Sequence, residues 1–327
     1  MIDGHGDDIY RYEGIRMNFS SNIYAHADLT ELEAYLCCHL DVIRSYPEPS
    51  ARSLDVIIAQ RCGVSPDEVL VTSGATDAIY LIAQAFRDKP TFRVFHPTFS
   101  EYEDASRQFG YQEGNESALC WLCNPNNPTG EVFSISYIEA LAAQHDLLVI
   151  DQSYEDYTHA LMLSPKEAVR MGNVLQLHSM TKQYAIPGLR VGYVVASSRL
   201  IATLRKHYRP WAVNALAIEA GKWLLTHQQV LPNLTVYLQE TQRLREQLNA
   251  IKGVKAFDTQ TNFFLCTIEP QTAASLKDYL AIRHGILIRD ASNFQGLTPH
   301  HFRIATQLPK ENDTLVDAIQ QFIAQQV

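Results

Sequence analysis

The chain has 327 residues, 46% of them hydrophobic and 19% charged, enough for one major core and a smaller second one. A net charge of −9 and an isoelectric point near 5.7 count against nucleic acid or an acidic membrane as partner, so a basic site must be a local exception. The opening MIDGHGDDIYRYEG carries acids and no apolar stretch, and no run approaches the length of a membrane span. Neither a signal peptide nor a spanning helix is expected, and the protein is expected in the cytoplasm.

Helix-like and strand-like segments alternate from about Leu29 to Ser197, which predicts an α/β fold whose mostly parallel sheet carries helices on both faces. In VLVTSGATDAIYLIAQAF, the strand Val69 to Thr72 passes through Ser73 and Gly74 into an apolar-periodic helix. The free amides of Ala75 and Thr76 at its start make an anion site. Strand, glycine and helix recur in many α/β proteins, so the weight of Gly74 comes from the motifs downstream of it. Cys120 and Cys123 form a CxxC, but a separation of three in a strand points the side chains to opposite faces. They are read with Cys37, Cys38, Cys62 and Cys266 as buried reduced thiols.

The loop CNPNNPTGEVF, Cys123 to Phe133, is forced tight by two prolines and a glycine, and presents Asn127. AQHDLLVIDQSYEDY then enters the apolar run Leu147 to Ile150, a buried parallel strand that stops at Asp151. An acid there sits at the carboxyl end of a strand, where open α/β sheets place ligands; the plainer alternative is that it caps the following turn. SMTKQYAIPGLRVGY sets Lys182 beside the hydroxyls of Ser179 and Thr181, with Arg190 in a Pro-Gly turn. A lone lysine is ordinarily a solvated surface residue. Desolvated, however, it forms Schiff bases with aldehydes, and Ser179, Thr181 and Arg190 suit a phosphate dianion. The implied cofactor is pyridoxal phosphate, held through Lys182. Asp151 then pairs with the pyridine nitrogen and keeps it protonated, while Tyr154 and Asn127 reach the phenolic oxygen from opposite sides.

Past Ser197, helices through Ala215 to Ile251 carry a Leu and Val stripe read as core. Strand-like Asn262 to Ile268, Ile286 to Arg289 and Phe302 to Ala305, with a helix from Lys310, predict a small α+β domain. The expected division is 26–205 for the large cofactor-binding domain, with 1–25 and 206–327 forming a small domain and an N-terminal arm. Twelve histidines show no HExxH pairing, His300 and His301 fall in an expected loop, and no metal is implied.

With these motifs in this order, the chain resembles fold type I pyridoxal-phosphate enzymes of the class I/II aminotransferase superfamily, from about Tyr46 to Arg303. HGDDIYR, NFSSNI (Asn18 to Ile23), SYPEP (from Ser45), RPWAVNALA (from Arg209) and GILIRDASNFQGL (from Gly285) are most similar to the threonine-phosphate decarboxylases of cobalamin biosynthesis. They are less similar to histidinol-phosphate aminotransferases. The resemblance implies that Lys182 is the Schiff-base lysine, Asp151 the partner of the pyridine nitrogen, and Asn127 and Tyr154 the partners of the phenolic oxygen. Gly74, Ala75, Thr76, Ser179, Thr181 and Arg190 lie around the phosphate, and Phe99 stacks on the ring. Tyr46 implies a homodimer, since it matches a tyrosine that reaches the neighbouring subunit's cofactor phosphate. Arg303 matches the residue for the substrate carboxylate, and His5, Asn22 and Arg289 match positions that handle the substrate's phosphorylated end. Asp7, Gln152 and Ser153 depart from the usual pattern near those positions.

The activity this implies is decarboxylation of L-threonine O-3-phosphate to (R)-1-amino-2-propanol phosphate. The alternatives are an aminotransferase of the histidinol-phosphate type and a non-catalytic binding module on the same fold. The bond to Cα that stands perpendicular to the ring is the one that breaks, so a second anionic anchor on the substrate can choose between these reactions by turning the carboxylate out of plane.

Overall fold

A computed structural model of the protein describes residues 7–88, 90–114, 118–227 and 232–325. Among them thirteen strands occur: β1 (Met17–Asn18), β2 (Val69–Thr72), β3 (Thr91–Val94), β4 (Gln112–Glu113), β5 (Leu119–Cys123), β6 (Leu147–Asp151), β7 (Val174–Ser179), β8 (Gly192–Ala196), β9 (Val254–Ala256), β10 (Phe263–Ile268), β11 (Ile286–Leu287), β12 (Arg289–Asp290) and β13 (His301–Ala305). The main sheet has the order β2-β8-β7-β6-β5-β3-β4. Only β8 runs antiparallel to its neighbours, β2 and β7; the other pairs are parallel.

Every residue of β5, β6 and β7 is buried, as expected for strands covered on both faces. Alternation along β5 and β6 divides the core. Trp121, Cys123 and Val149 pack with the helix Gly74–Ala85, while Cys120, Leu122, Leu148 and Ile150 pack against the helix Ile135–Gln144 on the other face. Cys120 and Cys123 therefore do point to opposite faces, and burial pushes both thiols up to about 12. The helix Ala215–Thr226 lays Ala217, Ile218, Ala220 and Leu224 against Leu54, Ile58 and the β2/β8 edge.

A four-stranded antiparallel sheet, β12-β13-β10-β9, packs its apolar face on the helices Leu234–Asn249 and Pro309–Ala324. Beside it β1 pairs in parallel with β11, Met17 opposite Ile286. The predicted strand Ile286 to Arg289 is thus two pieces serving two sheets, with buried Ile288 between them. Two further expectations are corrected. Cys37 and Cys38 are exposed, because they close the short helix Thr30–Cys38, of which only Leu32 is buried. His301 opens β13, paired with Thr267, and is not in a loop.

Among the described residues no helix is long and apolar enough to cross a membrane, and no group of three His, Cys, Asp or Glu is placed to hold a metal.

Candidate active site

The carboxyl ends of the central strands meet in a cavity of about 300 Å³. Its wall carries Asp151, Tyr154, Ser179, Thr181 and Lys182 from the main sheet and the turns after its strands. Asn22 comes from the segment after β1, and Arg289 and Arg303 from the small sheet. Four cations and two carboxylates (Asp7 and Asp151) line it, in a chain whose net charge is −9. This is the local basic exception that an acidic protein needs in order to take an anionic ligand.

Asp151 closes β6 and is 4% exposed. Its Oδ2 accepts from the Tyr102 hydroxyl at 2.7 Å and its Oδ1 from the Ser153 amide at 2.9 Å, so the carboxylate is fixed from two sides. Tyr102 is itself stacked on Trp121, 5.5 Å between centroids and 16° between planes, and Phe99 meets Tyr102 edge-on at 5.7 Å. Sequence reasoning missed Tyr102. The signal was present in HPTFSEY, where residues three apart on the first turn of the helix Glu101–Gln108 share a side with Phe99.

Lys182 lies on the one-turn helix Met180–Gln183 after β7, with its ammonium nitrogen 5.7 Å from the Tyr154 ring centroid. Burial lowers its pKa to about 8, and the positive field of Arg303 adds to the effect while Asp7 opposes it. An amine that is partly neutral near physiological pH is a competent nucleophile for a carbonyl. Burial also raises the Tyr154 phenol to about 12, against the pull of Arg303, so at neutral pH Tyr154 is a hydroxyl donor.

A phosphate fits the turn between β2 and the helix Gly74–Ala85. Gly74 has φ +83°, and a Cβ there would stand 2.7 Å from Arg190 Nη2. A Cβ on Gly192 would meet the His178 carbonyl at 2.8 Å and the Ala75 amide at 3.0 Å. Both glycines keep the strand ends close enough for backbone amides and guanidinium to converge. Arg190 holds φ +57°, a strained value for a residue with a side chain, and its Nη1 donates to the Pro187 carbonyl at 3.2 Å. Thr181 Oγ1 is buried without a hydrogen-bond partner, an orphan that a phosphate oxygen would satisfy. Ala75, Thr76, Ser179, Thr181 and Arg190 all line the cavity, with Gly74 directly behind Arg190.

In the proline-rich loop, two of three asparagines hold the loop itself. Asn124 Oδ1 accepts from the Phe133 amide at 2.7 Å, and Asn126 donates to the Pro97 carbonyl at 3.0 Å and to Thr129 Oγ1 at 2.9 Å. Asn127 faces the cavity instead, its Oδ1 accepting from Arg303 Nη1, so its amide NH₂ is the group left to meet a ligand. Arg303 also donates from Nη2 to the Ser20 carbonyl at 2.6 Å, while its Nε is buried and unpartnered. Arg289 donates to the Asp290 carbonyl at 2.6 Å and to Asn293 Oδ1 at 2.8 Å. The two arginines are direct cross-strand partners, 7% and 5% exposed, in the register of β12 on β13. Asn22 is 1% exposed and both its amide atoms lack hydrogen-bond partners.

One predicted site residue stands elsewhere and another is not described. His5 lies outside the described residues. Tyr46 is 84% exposed and lies against Trp211, 5.2 Å between ring centroids and tilted by 40°, and it does not line this chain's own cavity. Asp7, Asn293 and Phe294 line the cavity and had no assigned role.

Residues 108–319 match the family model described as aminotransferase class I and II. A protein of Caldanaerobacter subterraneus subsp. tengcongensis, provisionally named threonine-phosphate decarboxylase, is 32% identical over 96% of this chain and 92% of its own length. A histidinol-phosphate aminotransferase of the same organism is 27% identical over 87% of each chain. The crystal structure of L-threonine-O-3-phosphate decarboxylase from Porphyromonas gingivalis superposes with a TM-score of 0.91 at 38% identity, covering 94% of this chain and all of that one.

Proposed function

Because the chain belongs to the aminotransferase class I and II family, we propose that it is a pyridoxal-phosphate-dependent decarboxylase. Its substrate is L-threonine O-3-phosphate and its product (R)-1-amino-2-propanol phosphate, in the manner of cobalamin biosynthesis. The observation that carries the choice of substrate is the buried pair Arg289 and Arg303, one guanidinium for each anionic end of a doubly anionic amino acid.

When bound, pyridoxal phosphate supplies an aldehyde that takes the substrate amine and a ring that draws off the electrons of a bond broken at Cα. Lys182 is the residue that would hold it covalently. Asp151 would face its ring nitrogen, Tyr154 and Asn127 its phenolic oxygen, and Phe99 its face. Ala75, Thr76, Ser179, Thr181 and Arg190 would take its phosphate. The Lys182 amine would also be the group that moves a proton at Cα, and its depressed pKa keeps both protonation states accessible. Arg303 binds the carboxylate, and its remaining N–H donors include the orphaned Nε. Arg289 with Asn22 holds the substrate phosphate. With both ends pinned, rotation about the Cα–N bond would no longer be free, so Arg289 and Arg303 together would select which bond to Cα is presented for cleavage. Tyr46, exposed and beside Trp211, fits a role in a neighbouring subunit, which supports a homodimer as the working assembly, with the cytoplasm as its proposed location.

The test is incubation of the pyridoxal-phosphate-loaded protein with L-threonine phosphate. Carbon dioxide and aminopropanol phosphate in equal amounts, with the cofactor still in its aldehyde form, are expected. Conversion of the cofactor to pyridoxamine phosphate would mean an aminotransferase, and no turnover with any phosphorylated amino acid would favour a binding module. Lys182→Ala should retain no pyridoxyl group after borohydride, and a covalent label surviving in that variant refutes the assignment.

A further inference from the structure

The hydroxyl of Tyr157 lies at a junction that none of the site assignments uses. Tyr157 ends the 3-10 turn Glu155–Tyr157 directly after Tyr154 and is 1% exposed, packed among Tyr154, Tyr237, Phe263 and Tyr24. Its hydroxyl donates to the Lys182 carbonyl at 2.9 Å and accepts from the Tyr24 amide at 3.3 Å. One oxygen thus joins the backbone of the reactive lysine to the backbone of the segment that carries Asn22, whose buried amide faces the cavity. The same segment is held at Ser20 by Arg303 and at Phe19 by the Leu287 carbonyl at 2.7 Å. On the lysine side, Gln183 donates to Asp156 Oδ1 at 3.2 Å, a second tie from the turn after Tyr154.

We propose that Tyr157 is a positioning residue whose hydroxyl couples the seating of residues 20–24 to the placement of the Lys182 amine. A phenylalanine would fill the same space, leave the part-buried Tyr24 amide without its partner, and leave the Lys182 carbonyl with its longer bond from the Ala185 amide at 3.4 Å. The ligand-facing segment and the lysine turn would then move independently, although each keeps its other contacts. This inference rests on the proposed function only in naming Lys182 as the amine that takes pyridoxal phosphate.

The test compares amide exchange of the 19–24 segment, read by mass spectrometry on the full-length protein with and without pyridoxal phosphate, in the wild type, Tyr157→Phe and Tyr237→Phe. The last removes a hydroxyl from the same cluster, one that donates to the Thr306 carbonyl at 2.6 Å and hydrogen-bonds neither Lys182 nor Tyr24, while the ring that meets Tyr24 edge-on at 5.3 Å is kept. In cofactor-free protein, Tyr157→Phe should speed exchange at Tyr24 roughly tenfold while Phe19 is unaffected. Pyridoxal phosphate should slow Tyr24 exchange at least about fivefold in the wild type and in Tyr237→Phe, and should not slow it in Tyr157→Phe. Cofactor-induced protection retained in Tyr157→Phe, or lost equally in Tyr237→Phe, overturns the proposal. If the wild type takes up no pyridoxal phosphate, the proposed function fails, and the cofactor-free comparison alone decides whether the tie exists.

Discussion

Replacing Lys182 by methionine in the cofactor-free protein should make the fold more stable, by an amount that depends on pH. The unfolded lysine titrates near its ordinary value of 10.5, and burial beside Arg303 brings the folded one to about 8. Folding therefore has to expel a proton, or bury a charge, at any pH below about 10.5. Each pKa unit corresponds to about 1.4 kcal/mol, so the penalty reaches roughly 3 kcal/mol below pH 8, where it levels off. It shrinks to about half near pH 9.3 and to a few tenths of a kcal/mol by about pH 10.5, where the folded amine is neutral and the unfolded one half protonated. Methionine keeps the unbranched stem and removes the ionisable group, so the difference between the two proteins isolates this contribution. Guanidinium denaturation of both proteins from pH 7 to 10 measures it, since other titrations are common to the pair and cancel. A stability gap that is constant with pH, or a methionine variant less stable at pH 7, would refute the claim that Lys182 is held in a dry, cationic environment.

Three further outcomes rest on named contacts. Gly192→Ala should cost about 1–3 kcal/mol of stability by calorimetry and weaken pyridoxal phosphate binding, because its methyl would lie 2.8 Å from the His178 carbonyl and 3.0 Å from the Ala75 amide; unchanged affinity would remove Gly192 from the phosphate cradle. Arg205→Met strips the buried Asp55 of its 2.8 Å partner and should cost about 3 kcal/mol or more at pH 7. Asp55 already titrates near 6 in the fold through burial, against 3.8 unfolded, so part of that loss should be recovered as pH falls below 6 and the folded carboxyl takes a proton; equal losses at pH 5 and pH 7 would contradict this. Arg303→Lys keeps the charge but not the planar fork. It should raise KM for L-threonine phosphate by roughly ten- to a hundredfold while the absorbance of the bound cofactor stays, and a normal KM would exclude Arg303 as the carboxylate site.

The parts of the site legible in sequence are those in which one local rule has one solution. The apolar run into Asp151 is buried at every position and ends the strand at the predicted residue. Gly74, two residues after Thr72, does open the helix that follows β2, with φ +83°. The turn from Ser179 to Arg190 does bring both hydroxyls, the lysine and the arginine to one wall. The features that escape such reading are non-local. Nothing within GILIRDASN tells that Ile286–Leu287 pairs with β1 while Arg289 crosses to face Arg303 in another sheet. The hydrogen bond from Tyr102 to Asp151 spans 49 residues, and the one from Tyr157 to Lys182 spans 25. Cys37 and Cys38 differ from expectation because a helix-like pattern says nothing of whether its final turn is covered.

The treatment of buried cations distinguishes structural charge from charge kept for a ligand. Lys277 is buried and has its counter-ion built in, Asp8 Oδ2 at 2.6 Å. Arg205 likewise reaches Asp55 at 2.8 Å. Arg303 is as deeply buried as Lys277, yet its partners among the described residues are the amide oxygen of Asn127 and the carbonyl of Ser20, both neutral. Burial pulls its pKa to about 10, with Arg289 adding to the strain from across the strand pair. Like charges placed directly opposite in a sheet are destabilising, and a buried cation without a carboxylate costs several kcal/mol, so packing alone would select against this arrangement. Neutral acceptors fix the direction of the guanidinium without cancelling its charge. The uncompensated charge and the orphaned Nε then remain for an anion from outside, which recovers in binding the stability the empty site forgoes.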